Sequence, residues 1–152
     1  MRQEGAIVNA SLFATLSALV AGAAISVQSS LSGLIGRTLG VLESAFVVHL
    51  GGLVLTGAIM LGLRGGNLGA WRSVPWYAYG AGFVGVVIIA AVSYTVPRLG
   101  LATTLTLTIV AQLLLGAFLD HIGWLGAAPR PLDATRLLGM AVLLAGTWLV
   151  VR

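Results

Sequence analysis

The feature that most constrains this chain is a set of five apolar stretches, each long enough to cross a bilayer as a helix. A hydrocarbon core about 30 Å thick needs about 20 predominantly apolar residues in a helix. The stretches cover residues 6–28, 44–63, 76–96, 99–119 and 135–151. The sequence therefore predicts an all-α integral membrane protein, with residues 1–152 forming a single transmembrane domain of five helices.

The composition excludes several function classes. Charged residues make up 8% of the chain, against about 25% in an ordinary globular protein, and the mean hydropathy is +1.05. So little charge cannot cover a water-facing surface, which excludes a cytosolic enzyme. The eight basic residues are all arginines spread along the chain, so we expect no nucleic-acid partner. Cysteine is absent, and no metal spacing, phosphate loop or catalytic triad is present, so we expect no metal, no cofactor and no catalysis.

The arginines indicate how the helices are oriented. An odd number of spans puts the two termini on opposite sides of the membrane. One side carries five arginines and the other three, namely Arg2, Arg64, Arg72, Arg130 and Arg136 against Arg37, Arg98 and Arg152. This small excess favours a cytoplasmic N-terminus weakly and permits both orientations. Two oppositely inserted copies would form an inverted-topology pair, and because the chain has no internal repeat, the second half must come from another chain.

The connections carry their own signals. The Ser/Gly-rich stretch 29–42 is expected to be a loop or a short interfacial helix. Pro97 is expected to break the chain between the third and fourth helices. Trp71 and Trp76 are expected at a membrane interface, and Asp133 is expected to cap the fifth helix.

Polar side chains inside the apolar stretches are the candidate substrate-binding residues, because a polar group in hydrocarbon needs a partner or a function. They are Asn9, Gln28, His49, Ser93, Thr108 and Gln112. Serine and threonine also hold helices together, so packing remains an open alternative for Ser93 and Thr108. His49 is open between substrate binding or proton transfer and neutral packing.

Two further groups of residues belong to helix packing and helix ends. Gly139 and Gly146 lie seven residues apart on the fifth helix, and we expect them to pack against a second chain. Glu43, Asp120 and His121 lie near the ends of spans, and their roles stay open.

Several segments together resemble a known family. They are residues 96–100, 111–115, 119–126, 130–139 and 144–146, with Gln28 and the pair Leu39-Gly40 in the first half. The chain resembles the YdcZ-type branch of the drug/metabolite transporter superfamily, whose five-helix chains occur singly, as pairs or fused into ten helices. It departs from the family pattern at Ser32, where an Asn usually stands, and at His49-Leu50, where the family tends to have Ser-Phe.

The resemblance implies transport across the bacterial inner membrane. With the topology above, it leads us to expect an antiparallel homodimer, or a pair with a homologue, of ten helices, similar to small multidrug resistance proteins. Such a dimer would move a small organic metabolite or drug by alternating access, with H⁺ or Na⁺ as possible coupling ion. A small dual-topology ion channel and a non-transporting membrane assembly protein remain the alternatives.

Overall fold

A computed structural model describes residues 2–63, 66–126 and 128–152, with side chains described from residue 10 onward. The helices are α1 (Arg2–Thr38), α2 (Val41–Gly62), α3 (Ala81–Leu99), α4 (Leu101–Ile122) and α5 (Ala134–Val151). Two 3₁₀ helices, Leu68–Ser73 and Trp76–Gly80, lie between α2 and α3. Within these described residues, five segments are long and apolar enough to cross a membrane, namely Ala10–Thr38, Val41–Gly62, Trp76–Leu99, Leu101–Ile122 and Ala134–Val151. The predicted all-helical architecture with five spans is confirmed.

The chain divides into two compact units. The N-terminal unit ends at Arg98 and contains α1, α2 and nearly all of α3. The C-terminal unit is Leu99–Arg152, in which α4 packs against α5.

The first helix ends ten residues later than the sequence indicated. We expected a span ending at Gln28, but α1 continues through the Ser/Gly-rich stretch to Thr38. The chain then turns at Gly40, whose φ of 126° lies in a region that favours glycine. Serine and glycine have low intrinsic helix propensity, and here the packing of their small side chains against α2 and α3 outweighs that preference.

The break after α3 also lies elsewhere than expected. Helix α3 passes through Pro97 and ends at Leu99, and the chain turns at Gly100, with φ of 83°. A proline in the last turn removes only one backbone hydrogen bond, so the helix tolerates it there. The positive φ of Gly100, which favours glycine, is what separates α3 from α4.

The structure agrees more closely with the predictions for the loops that precede α5 and α3. Asp133 caps α5, because its carboxylate accepts a hydrogen bond from the backbone N–H of Arg136 at 2.7 Å. Trp71 and Trp76 lie on the 3₁₀ helices, and Trp76 is 85% exposed. The first turn of the expected third span is therefore 3₁₀ rather than α-helical.

Four serines occupy the centre of the N-terminal unit, where a water-soluble protein would place aliphatic side chains. Ser29, Ser32, Ser44 and Ser93 are all buried. The hydroxyl of Ser93 donates to Ser44 Oγ at 2.8 Å, and the hydroxyl of Ser44 donates to the carbonyl of Ser32 at 3.0 Å. This hydrogen-bonded relay, here called the serine chain, joins α3 to α2 and α2 to α1.

Two glycines let α1 approach α3 at the same level. A methyl group at Gly36 would lie 2.7 Å from Cβ of Ser93 and 2.9 Å from its carbonyl oxygen. A methyl group at Gly33 would lie 2.6 Å from a methyl carbon of Val96. Pro97 has no N–H, so the Ser93 carbonyl lacks its usual hydrogen bond within α3. This carbonyl oxygen lies close to Gly36.

The large apolar side chains mostly face outward. Phe13, Leu53, Phe83 and Leu138 are each at least 66% exposed, whereas the buried apolar residues among those described are Ala45, Val92 and Val110. This distribution is that of a protein whose solvent is lipid, because aliphatic side chains gain nothing by leaving hydrocarbon for a protein core.

Replacing Gly36 by alanine should destabilise the N-terminal unit. The added methyl group meets the backbone of α3, and overpacking of this kind costs about 1–3 kcal/mol. Gly22→Ala is the matched control, because Gly22 lies on the same helix and a methyl group there would meet no described atom within 4 Å. Thermal unfolding of the purified protein in detergent should show a lower midpoint for Gly36→Ala alone; equal midpoints would contradict the close approach of α1 and α3.

Candidate functional site

An open groove runs along the seam between α4 and α5 in the C-terminal unit. Its volume is about 470 Å³, within the range of small-molecule sites. The wall from α4 is formed by Gln112, Leu113, Gly116, Ala117 and Asp120, and the wall from α5 by Arg136, Gly139, Met140 and Leu143. The lining is apolar apart from three side chains, two of which are charged.

Gln112 supplies the polar group at the middle of the groove. It is the twelfth of the 22 residues of α4, so it lies about 16 Å along the helix, near half the thickness of a bilayer core. Its side chain is exposed in the isolated chain, and no hydrogen bond from its amide to another described residue is present. An amide offers two donors and an acceptor, all available to a ligand.

Glycine makes the groove accessible beside Gln112. Gly116 on α4 and Gly139 on α5 both line it, and a methyl group at either position would meet no described atom within 4 Å. The two backbones are therefore open to whatever enters the groove.

An ion pair lies at one end of the groove. The guanidinium of Arg136 lies 3.8 Å from the carboxylate of Asp120, and the two side chains are 35% and 39% exposed. Exposed pairs of this kind contribute up to about 1 kcal/mol in water. Because both side chains are partly exposed, both charges are accessible at the end of this mostly apolar groove.

The loop between α4 and α5 holds this end in place. The backbone N–H of Arg130 donates to the carbonyl of Asp120 at 2.8 Å, and that of Leu132 donates to His121 Nδ1 at 3.3 Å. Helix α4 ends at Ile122, and the residue that follows it, Gly123, has φ of 65° and lies against Pro129. Asp120 and His121, whose roles the sequence left open, thus both fasten the loop to the end of α4.

The other residues expected at a substrate site lie in different surroundings. Thr108 donates its hydroxyl to the carbonyl of Thr104 at 2.8 Å, a bond within its own helix. Ser93 is buried in the serine chain, where its hydroxyl donates to Ser44 Oγ. Gln28 is exposed on α1. The side chain of Asn9 lies outside the described residues.

His49 is half-buried between α2 and α3. Its Nδ1 lies 2.8 Å from the carbonyl of Ala45, so Nδ1 carries the proton and donates when the ring is neutral. The other nitrogen, Nε2, lies against Gly85, where a methyl group would come within 2.9 Å of it. Nε2 is therefore the nitrogen left to accept a proton or a hydrogen bond.

Gly139 and Gly146, which are expected to pack against a second chain, lie in different surroundings. Gly139 lines the groove, while Gly146 has no described atom within 4 Å of a methyl position. Their expected role in holding a second chain stays a prediction.

The Asp120–Arg136 pair is the part of the groove that the sequence analysis missed. The spacing of Gln112, Gly116 and Asp120, four residues apart each time, places all three on one helical face. That signal was available, but nothing in the sequence showed that Arg136 would face them. Within the part of the chain that the structure describes, no group of three His, Cys, Asp or Glu residues is placed to hold a metal.

One known family matches most of the chain. A family model described as "Putative inner membrane exporter, YdcZ" matches residues 13–149. The chain belongs to this family. It is therefore a multi-pass protein of the inner membrane, and its family is described by transport rather than by catalysis. No curated protein and no solved structure matches the chain.

Proposed function

We propose that this protein is a secondary transporter that exports a small organic metabolite or drug. The observation that supports this most directly is the α4/α5 groove, which presents an unpaired amide near the middle of the membrane in a member of an inner-membrane exporter family. A few polar groups in an otherwise apolar groove are typical of small-molecule sites.

The chemistry of the groove favours an amphipathic substrate. Gln112 would hydrogen-bond its polar centre, and the apolar body would lie along Leu113, Met140 and Leu143. Asp120 would attract a cationic or zwitterionic end, with Arg136 balancing the charge when no substrate is bound. Neutral, zwitterionic and lipophilic cationic molecules are thus the expected cargo.

The proposed mechanism is alternating access in an antiparallel dimer. Two oppositely inserted copies, or this chain and a homologue, would enclose a cavity at their interface, and rocking of one half against the other would expose it to each side in turn. The proposal uses ten helices in total. Its support is the odd number of spans and the small arginine excess, which together permit both orientations.

Gln112→Leu should reduce transport about tenfold, because the substitution keeps the volume of the side chain and removes a hydrogen bond to the substrate. The measurement is saturable, gradient-driven flux of ethidium and of tetraphenylphosphonium in proteoliposomes. Leu115→Ala is the control, since Leu115 lies on the same helix outside the groove, and it should transport normally.

Other outcomes of this experiment separate the remaining functions. Wild-type flux in Gln112→Leu would mean that Gln112 only packs. Flux of small ions that does not saturate would favour an ion channel, and no flux of any probe by the wild-type protein would favour an assembly role.

Ala128→Cys should be labelled from both sides of the membrane. Ala128 lies exposed in the α4–α5 loop, and the chain has no native cysteine, so an impermeant maleimide reports this position alone. Labelling of about half the molecules in intact cells, and of all after permeabilisation, is expected if both orientations occur. Labelling of all or none in intact cells would contradict an antiparallel homodimer and would require an oppositely inserted homologue.

His49→Asn should flatten the pH dependence of transport, because an imidazole can take up and release a proton and an amide cannot. Asparagine retains a side-chain N–H near the carbonyl of Ala45 but has no group that titrates there. An unchanged pH profile in the variant would exclude His49 as the proton carrier and would favour Na⁺ as coupling ion or uncoupled transport.

A further inference from the structure

A second cleft lies at one end of the N-terminal unit, far along the chain from the residues of the α4/α5 groove. Helices α1 and α3 both end here and α2 begins here. The cleft has a volume of about 440 Å³, and its walls include Arg37 on α1 and Arg98 on α3. Because three helix ends meet at this level, the cleft lies where a bilayer meets water.

The two arginines are available for an external anion. Each lies in the last turn of its helix, where a cation offsets the negative end of the helix dipole. The helix dipole accounts for an arginine at the end of each helix. It does not account for the position of both arginines at the same cleft. Among the described side chains, neither arginine forms an ion pair with a carboxylate.

Arg98 is held in a fixed position. Its Nη1 donates to the carbonyl of Tyr94 at 2.7 Å, and its guanidinium carbon lies 3.6 Å from the centre of the Tyr94 ring. A guanidinium has five N–H donors, so most remain for a ligand. A pre-positioned guanidinium suits the fork geometry of phosphate recognition.

The start of α2 adds further donors to the same cleft. Gly40 and Val41 line it, and no hydrogen bond from a described side chain caps the first turn of α2, so the N–H groups of that turn remain available as donors. The carboxylate of Glu43 lies over Gly40 and is the one acid in residues 29–45. Two arginines against one carboxylate leave the cleft with a net positive charge.

A slightly smaller groove continues from the cleft along α1 and α3. It has a volume of about 390 Å³ and shares Arg37 and Pro97 with the cleft. Its other walls include Leu31, Leu34 and Val96, and it reaches Ser30, seven residues or about 10 Å deeper along the helix than Arg37. A charged opening that leads into a groove with aliphatic side chains along part of its wall matches a phosphate attached to a hydrocarbon chain.

We propose that this cleft binds an anionic phospholipid of the inner membrane, with its phosphate between Arg37 and Arg98 and an acyl chain along the α1/α3 groove. The groove distinguishes this ligand from free phosphate, because a soluble anion would leave the apolar walls unused. The bound lipid would brace the helix ends that the serine chain joins, and the proposal is independent of what the protein transports.

The test is native mass spectrometry of the full chain purified in detergent, with dioleoyl phosphatidylglycerol, dioleoyl phosphatidylcholine and glycerol 3-phosphate as probes. We expect phosphatidylglycerol to bind more tightly than phosphatidylcholine. Arg37→Gln and Arg98→Gln should each weaken phosphatidylglycerol binding by about fivefold, and the double variant by at least roughly tenfold, the scale of one or two basic groups near an anionic surface. Arg72→Gln is the control, because Arg72 lies on a 3₁₀ helix beside Trp71, and it should bind the lipid normally.

Each contrary outcome overturns a stated part of the proposal. Equal binding of the two lipids, or full binding by the double variant, excludes the arginine cleft as the site. Glycerol 3-phosphate that competes as strongly as the intact lipid replaces the lipid by a soluble phosphate. If the double variant fails to fold, Arg37→Gln alone decides the matter, since the side chain of Arg37 makes no hydrogen bond with another described residue.

Discussion

Helix association without a hydrophobic driving force is the constraint on which this structure depends. In a bilayer, lipid tails solvate a leucine as well as another leucine does, so helices join through close packing and hydrogen bonds. The N-terminal unit meets this constraint with the serine chain and with Gly33 and Gly36. Each interhelical hydrogen bond contributes only about 0.6 kcal/mol on average, so the approach of α1 to α3 that glycine permits carries much of the remaining stability.

Glycines are in close contact with a neighbouring helix where α1 meets α3, but not along the seam between α4 and α5. At the α1–α3 contact Gly33 and Gly36 are covered, because Val96 and Ser93 lie where their side chains would be. In the C-terminal unit Gly116 and Gly139 face open space along the groove. Tight packing favours a rigid contact between helices, whereas the open seam beside Gln112 has room for a ligand. We therefore place substrate contact in the C-terminal unit in the proposed mechanism.

The sequence predicted the number and order of the helices because span length and hydropathy are local properties. It did not predict the end of α1, since the helical state of residues 29–38 depends on contacts with α3 that no local propensity records. For the same reason Pro97 was expected to end α3, although Gly100 does so. Gln112 was identified from the polar face of α4. Arg136 was not, because its pairing with Asp120 depends on how the loop returns α5 to α4.

Uncovered glycines on α4 and α5 carry a structural cost that points outside the single chain. A glycine within a helix destabilises it by roughly 0.5–1 kcal/mol relative to alanine, and Gly116, Gly139 and Gly146 have no described neighbour within 4 Å of a methyl position. Nothing in the described part of the C-terminal unit therefore requires glycine at these three positions. A ligand in the groove accounts for the first two, and a second chain against α5 accounts for Gly146. Both explanations belong to the proposed dimeric transporter, in which the site at the seam would be completed only when two copies meet.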